Sequence, residues 1–221
     1  MVDVEFLIQF LARWGHIAFG IAWIGLLYYF NFVQGGYMAA ASAEAKVDAF
    51  TKLVPSALWW FRWAALLTFL TGLLLLWFVM VTGQLSSDIL VGVVMATLML
   101  INVWFIIWPN QRIVIASNEA VAAGGEPDPN QGAAAGKALL ASRSNTLLSL
   151  PMLFFMTSSA HYKLGGAWNE GTTELIVALL IVLAIELNAI FGKMGPITTV
   201  RGVITSSLAL TAIMWLLMVW L

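Results

Sequence analysis

The chain has 221 residues, of which 62% are hydrophobic and only 10% are charged. One soluble core cannot bury that much apolar surface, so the composition predicts an integral membrane protein. The net charge of -1 provides no basic surface for nucleic acid. The absence of cysteine excludes disulfides, thiolate metal sites, iron–sulfur clusters and covalently tethered haem, so a metal or haem would need His, Met, Tyr or carboxylate ligands.

Six apolar runs are candidates for membrane spans, because roughly 20 apolar residues cross a hydrocarbon core of about 30 Å. The fourth run is short and contains Pro151, which is acceptable where neighbouring helices satisfy the backbone groups that a proline frees. The sequence therefore predicts an all-α integral membrane bundle of about six transmembrane helices, in a single domain over 1–221. The runs are 12–34, 57–82, 89–108, 146–161, 174–192 and 200–221.

A long loop is predicted between the third and fourth spans, over 109–145. Its stretch GGEPDPNQGAAAG is rich in Gly, Pro and polar residues. Such a composition is typical of an exposed, flexible connector.

Lysine and arginine lie mainly in the loops after spans one, three and five, which places those loops on the cytoplasmic side. The opposite loops contain only Lys163 against three acidic residues, Asp88, Glu170 and Glu174. We therefore expect the bundle to lie in the lipid of a bacterial inner membrane. Both termini would be on the periplasmic side, and the 109–145 loop would be in the cytoplasm. The basic residues of the cytoplasmic loops are Lys46, Lys52, Arg112, Lys137, Arg143, Lys193 and Arg201.

The chain has only two histidines, and in this topology both lie near the outer leaflet. The first, His16, shares one helical stripe with Arg13, Gly20 and Trp23. One interpretation is a haem axial ligand, with Arg13 pairing a propionate and Gly20 leaving room for a flat macrocycle. The alternative is a glycine that packs helices together, a histidine hydrogen-bonded to a neighbour and Trp23 as ordinary filling.

The second histidine, His161, ends the fourth span beside Tyr162 and Lys163. It is either an interfacial residue or a second haem ligand at the depth of His16. Two imidazoles on facing helices could bind one haem b from opposite faces. Alternatively, each binds its own haem, or one holds haem while the other lies near substrate.

Two further ionisable residues fall inside predicted spans. Arg62 and Glu186 each lie about two turns from the inner end of their spans, at similar depth. We predict a buried ion pair between them, because each charge needs a partner in a low-dielectric setting. A proton relay through Glu186 is the alternative.

Four stretches resemble the membrane domain of the cytochrome c-fused bacterial urate oxidases, the PuuD-like or urate oxidase N-terminal family. They are WGHIAFGIAWIGLLYYFNFVQ, RWAALLTFLTGLLLL, NVWFIIWPNQ and SRSNTLLSLPMLFFMTSSAHY, and they cover most of spans one to four. The pattern of His16, Gly20, Trp23 and Gly25 is also similar, more weakly, to the first helix of the CopD and HemJ membrane haem proteins.

The first resemblance implies a membrane-bound oxidoreductase that passes electrons from urate, or a similar small reductant, to cytochrome c at the outer face. Members of that family carry a cytochrome c domain, whereas this chain has no cysteine to attach such a haem, so the acceptor is expected to be a separate cytochrome c. A purine anion would need an arginine or an amide donor, and the candidates are Arg13, Asn31, Asn102 and Asn110. The alternative function is a non-catalytic accessory subunit of a larger respiratory or photosynthetic membrane complex.

Overall fold

The computed structural model describes residues 3–162, 164 and 172–221, and the described chain is a bundle of helices. The predicted loop residues Lys163 and Glu170 lie outside the described residues. Three helices continue without a break into π-helical segments, at 29–34, 49–53 and 102–107. The α-helices are α1 Val4–Tyr28, α2 Gly35–Ala40, α3 Ala43–Asp48, α4 Val54–Val81, α5 Ser87–Ile101, α6 Trp108–Ala122, α7 Gln131–His161, α8 Thr172–Phe191 and α9 Val200–Trp220.

Five helical stretches in the described chain are long and apolar enough to cross a membrane, and each overlaps one of the predicted runs, which ends at most one residue beyond it. The all-α membrane bundle is therefore confirmed. The remaining predicted run, 146–161, lies inside α7 and is not among the five. The five stretches are Val4–Ala40, Ala43–Val81, Ser87–Ala122, Thr173–Phe191 and Val200–Trp220.

Helix α7 is central to the bundle and contacts α1, α5, α6, α8 and α9. Its proline, Pro151, has no N–H to donate to the carbonyl of Leu147, four residues earlier. The hydroxyl of Ser207, on α9, donates to that carbonyl at 2.7 Å. A neighbouring helix thus satisfies the group that the proline frees, as the sequence predicted for this helix.

The predicted loop over 109–145 is wrong in its secondary structure. Helix α6 continues to Ala122 and α7 begins at Gln131, so only 123–130 is not helical. The hydropathy pattern marks where a helix leaves the hydrocarbon and not where it ends. Beyond that point the alanine-rich segment 133–141 favours helix by intrinsic propensity, because alanine loses no side-chain entropy there.

Three of the five helical stretches have 36 or more residues and are much longer than a bilayer is thick. Ala43–Val81 has 39 residues, which is about 58 Å of helix at 1.5 Å per residue. The hydrocarbon core is only about 30 Å thick. Since α4 and α5 meet at the short polar turn 82–86, their other ends extend well beyond the hydrocarbon on the opposite side. We call the end of the bundle at the 82–86 turn the outer end, after the predicted topology.

Single-cysteine variants test this topology, because the natural chain has no cysteine to confuse the labelling. We expect Glu126→Cys, between α6 and α7, to be protected from a membrane-impermeant maleimide in intact cells. We expect Glu5→Cys, at the start of α1, to be labelled. Both side chains are exposed, so accessibility within the protein does not limit either reaction. The opposite labelling pattern would invert the orientation and place His16 at the cytoplasmic side.

Candidate functional site

The imidazole of His16 lies between α1 and α4, which pack against each other as antiparallel neighbours. Its Nδ1 lies 2.8 Å from the backbone oxygen of Thr68 and 3.3 Å from the hydroxyl of Thr71. A backbone carbonyl can only accept, so Nδ1 carries the proton and donates it to Thr68. The other ring nitrogen, Nε2, therefore keeps its lone pair and is free to act as a ligand or as a proton acceptor.

A glycine on α4, Gly72, makes room for this ring. A Cβ built on Gly72 would lie 2.9 Å from Cε1 of His16 and 3.3 Å from its Nδ1. The first of these distances is too short for non-bonded carbon atoms. Any side chain at this position must therefore shift the imidazole or the helices that hold it.

A cavity of about 400 Å³ opens beside His16 at the outer end of the bundle. Its volume falls in the range of small-molecule and cofactor sites. Most of its wall is apolar, and polar side chains occur at a few places, among them Gln9, Arg13, Gln84 and Ser159. The cavity is formed by α1, α4, α5 and α7 and by the 82–86 turn.

The predicted site residues are only partly brought together here. Arg13, His16 and Trp23 all lie on the cavity wall. Gly20 is not on the wall, and a Cβ built on it would make only an ordinary contact, 3.9 Å from the methyl group of Thr68. His161, the last residue of α7, is exposed, although its neighbour Ala160 is on the wall.

The residues around this cavity fit a non-covalent haem. A metal-bound histidine almost always donates its second ring N–H to a carbonyl or carboxylate, and His16 makes that bond to Thr68. Trp23 is 2% exposed and contributes a large aromatic side chain to the cavity wall.

Sequence reasoning did not identify the two residues that support His16, and it did not single out Met156. Thr68 and Gly72 lie in the TFLTGLLLL stretch of α4, and only the pairing of α1 with α4 shows that they face His16. Met156, on α7, is also on the cavity wall, where its side chain lies against Gly92 with Sδ 3.4 Å from the position of a Cβ on that glycine. Thioether sulfur ligates haem in some proteins. Met156 is therefore a candidate for a second ligand beside His161.

A buried carboxylate lies next to the cavity. Asp88, near the start of α5, is fully buried and accepts hydrogen bonds from the hydroxyls of Ser86 and Ser158 and from the backbone N–H of Ile89. Negative charge is also stabilised at a helix N-terminus. Asp88 therefore joins the start of α5 to the end of α7, next to the cavity residues Ile89 and Ser159.

The predicted ion pair between Arg62 and Glu186 does not form. The guanidinium of Arg62 lies over the ring of Trp108, with Cζ 3.6 Å from the ring centroid, and 5.3 Å from the centroid of Trp104. These contacts are cation–π interactions. Arg62 contacts Trp104 and Trp108, whereas Glu186 contacts Asn102, and similar depth in the sequence does not distinguish such separate contacts from an ion pair.

Glu186 instead belongs to a buried polar network with two asparagines. Nδ2 of Asn102 donates to Oε2 of Glu186 at 3.0 Å and to Oδ1 of Asn145 at 2.9 Å. The amide of Asn145 donates in turn to the backbone oxygen of Met99 at 2.9 Å. The network joins α8, the π-helical segment after α5, and α7.

Three of the four candidates for a purine anion are therefore occupied elsewhere. Asn31 donates to the oxygen atoms of Leu27 and Ser142, and Asn110 donates to the backbone oxygen of Ile106. Asn102 belongs to the network with Glu186. Only Arg13 lines the cavity.

Comparison with known sequences gives one match. The family described as urate oxidase N-terminal matches residues 82–221, which is more than half of the chain and includes α5 to α9. No curated protein and no solved structure matches.

Proposed function

The chain belongs to the urate oxidase N-terminal family, and from this membership and the cavity we propose that it is a haem b electron-transfer protein of the bacterial inner membrane. As a member of this family it is a membrane protein related to urate oxidation. The proposed reaction is the oxidation of urate, or of a similar small reductant, with delivery of the electrons to a separate periplasmic cytochrome c.

The observation that carries the proposal is the hydrogen bond from Nδ1 of His16 to Thr68. It fixes the tautomer and the orientation of the ring, so that Nε2 offers its lone pair on the wall of a mostly apolar cavity. A haem held there would supply one-electron chemistry close to the outer surface. The chain has no cysteine, so the haem would be bound without a covalent link.

The other residues of the cavity have distinct roles in this proposal. Arg13 is exposed near the mouth and would pair a haem propionate or hold an anionic purine. Trp23 would pack against the bound group. The apolar side chains Phe69, Leu76 and Val93 would exclude water from it.

The location of the cavity supports an acceptor on the outer side. Gln84, in the outer turn, and Gln9, on α1, belong to the cavity wall. A partner that docks on this end would therefore come close to His16 without entering the hydrocarbon. Oxidation of urate with water as the oxygen donor yields two electrons and two protons, so two molecules of cytochrome c would each accept one electron.

The direct test uses membranes or proteoliposomes that contain the haem-loaded protein and an added soluble cytochrome c. We expect urate-dependent reduction of the cytochrome, followed by its absorbance, at a stoichiometry of two cytochromes per urate consumed. The His16→Ala variant should be inactive. The His161→Ala variant should be slower if His161 is a second ligand or lies near substrate, and its thermal unfolding shows whether the bundle is intact.

The same preparation can also contradict the proposed reaction. If a haem-loaded protein reduces none of several cytochromes when urate is added, the urate and cytochrome parts of the proposal are wrong. An accessory subunit that holds haem within a larger complex would then be the better description.

A further inference from the structure

Five of the eleven tryptophans lie in one patch around Arg62, far from the haem cavity. Trp59, Trp60 and Trp63 belong to α4, and they are 46%, 60% and 38% exposed. Trp63 packs edge-to-face on Trp104 with ring centroids 5.7 Å apart. We call this patch, completed by Trp108, the tryptophan cluster.

The helices place the tryptophan cluster at the inner boundary of the hydrocarbon. About 20 residues of helix cross a 30 Å core. Counted from the end of α4 at Val81, 20 residues reach Arg62, and counted from the start of α5 at Ser87, they reach the segment between Trp104 and Trp108. Exposed tryptophans concentrate at this depth in membrane proteins, where one side of the ring is apolar and the other meets lipid headgroups.

Arg62 is held in this boundary layer without a carboxylate partner. Within the described residues, neither Arg62 nor Arg112 is in an ion pair. Arg112 is exposed and lies one helical turn beyond Trp108, the residue whose ring contacts Arg62. Two like charges without an acidic partner near the depth of the headgroups favour a bound anion, and guanidinium groups donate well to phosphate oxygens.

We propose that Arg62 and Arg112, with the tryptophan cluster, bind the phosphate of an anionic phospholipid in the inner leaflet. Trp108 holds the Arg62 guanidinium in position by its cation–π contact, which limits the orientations that the side chain must give up on binding. The exposed rings of Trp59 and Trp60 lie beside the acyl chains and the glycerol backbone. The site is independent of the haem cavity, since no residue of the cluster lines that cavity.

The experiment measures lipid binding by native mass spectrometry of the whole protein in a mild detergent. Dioleoylphosphatidylglycerol is titrated into wild type, Arg62→Gln, Arg112→Gln and the control Arg201→Gln, which removes an exposed arginine from the start of α9. We expect each of the first two changes to weaken binding about fivefold, the effect of about one basic residue near a membrane surface. The control should bind like wild type, and dioleoylphosphatidylcholine should bind more weakly to all four.

Two results would overturn the proposal. One is unchanged phosphatidylglycerol affinity in a folded Arg62→Gln protein. If that variant does not fold, Arg62→Lys and Arg112→Gln decide in its place, and unchanged affinity in both has the same meaning. The other is full displacement of the lipid by an equal concentration of inorganic phosphate, which would indicate a general anion site.

Discussion

Replacing His16 by alanine is expected to leave a folded membrane protein without bound haem. The change removes the Nε2 ligand, and no other histidine lies on the wall of the cavity. Pyridine haemochrome analysis of the purified variant should then give no signal above background. The matched comparison is Met156→Leu, which alters the same cavity and should lower the haem content by less than His16→Ala does. If His16→Ala retains haem in the wild-type ratio, His16 is not the ligand.

The support of His16 by α4 gives a finer test of the same site. In Gly72→Ala the new Cβ would lie 2.9 Å from Cε1 of His16, so the ring must shift, and we expect its hydrogen bond to Thr68 to be lost. Loss of such a supporting hydrogen bond weakens binding about 10- to 100-fold in metal sites, and we expect a similar loss of haem affinity. In the control Gly25→Ala the added methyl group meets nothing within 4 Å, so haem affinity should not change. Equal haem affinities in the two variants would show that haem binding does not depend on the position of His16.

Replacing Asn145 by leucine is expected to destabilise the bundle. Asn145 is fully buried, and the change removes its hydrogen bonds with Asn102 and with the backbone oxygen of Met99. Hydrogen bonds between membrane helices contribute about 0.6–2 kcal/mol each. We therefore expect the free energy of unfolding to fall by about 1–3 kcal/mol, measured by detergent-induced unfolding in mixed micelles.

The same substitution at Asn110 is the control. The Asn110 amide donates only to the backbone oxygen of Ile106 in its own helical stretch, so its loss should cost less than about 0.5 kcal/mol. If both variants lose the same free energy of unfolding, the network of Asn102, Asn145 and Glu186 does not hold the helices together.

The sequence predicted the membrane bundle because the apolar runs are long and their limits are marked by polar residues. It also predicted how α7 accommodates Pro151, since an unpaired carbonyl in a membrane must find a donor. It did not predict that α6 and α7 continue as helix beyond the hydrocarbon. Alanine-rich segments such as 133–141 form helix by propensity, and neither hydropathy nor the nearby Gly and Pro residues show this.

The candidate site was predicted from residue type, and the packing around it was not. Histidine and arginine are rare inside spans, which singled out His16 and Arg13. The role of Gly72 could not be predicted, because it depends on which helix faces α1. Arg62 and Glu186 were wrongly paired because they have similar depth in the sequence. Their partners, Trp108 and Asn102, are neutral residues that give no charge signal in a sequence.

The most direct test of the account is the visible spectrum of the wild-type protein purified from haem-replete cells. We expect a Soret band that shifts on reduction by dithionite, and a pyridine haemochrome spectrum of b type with haem extractable by acid acetone. A protein that purifies colourless and stays colourless when haemin is added would contradict the assignment of the His16 cavity as a haem site.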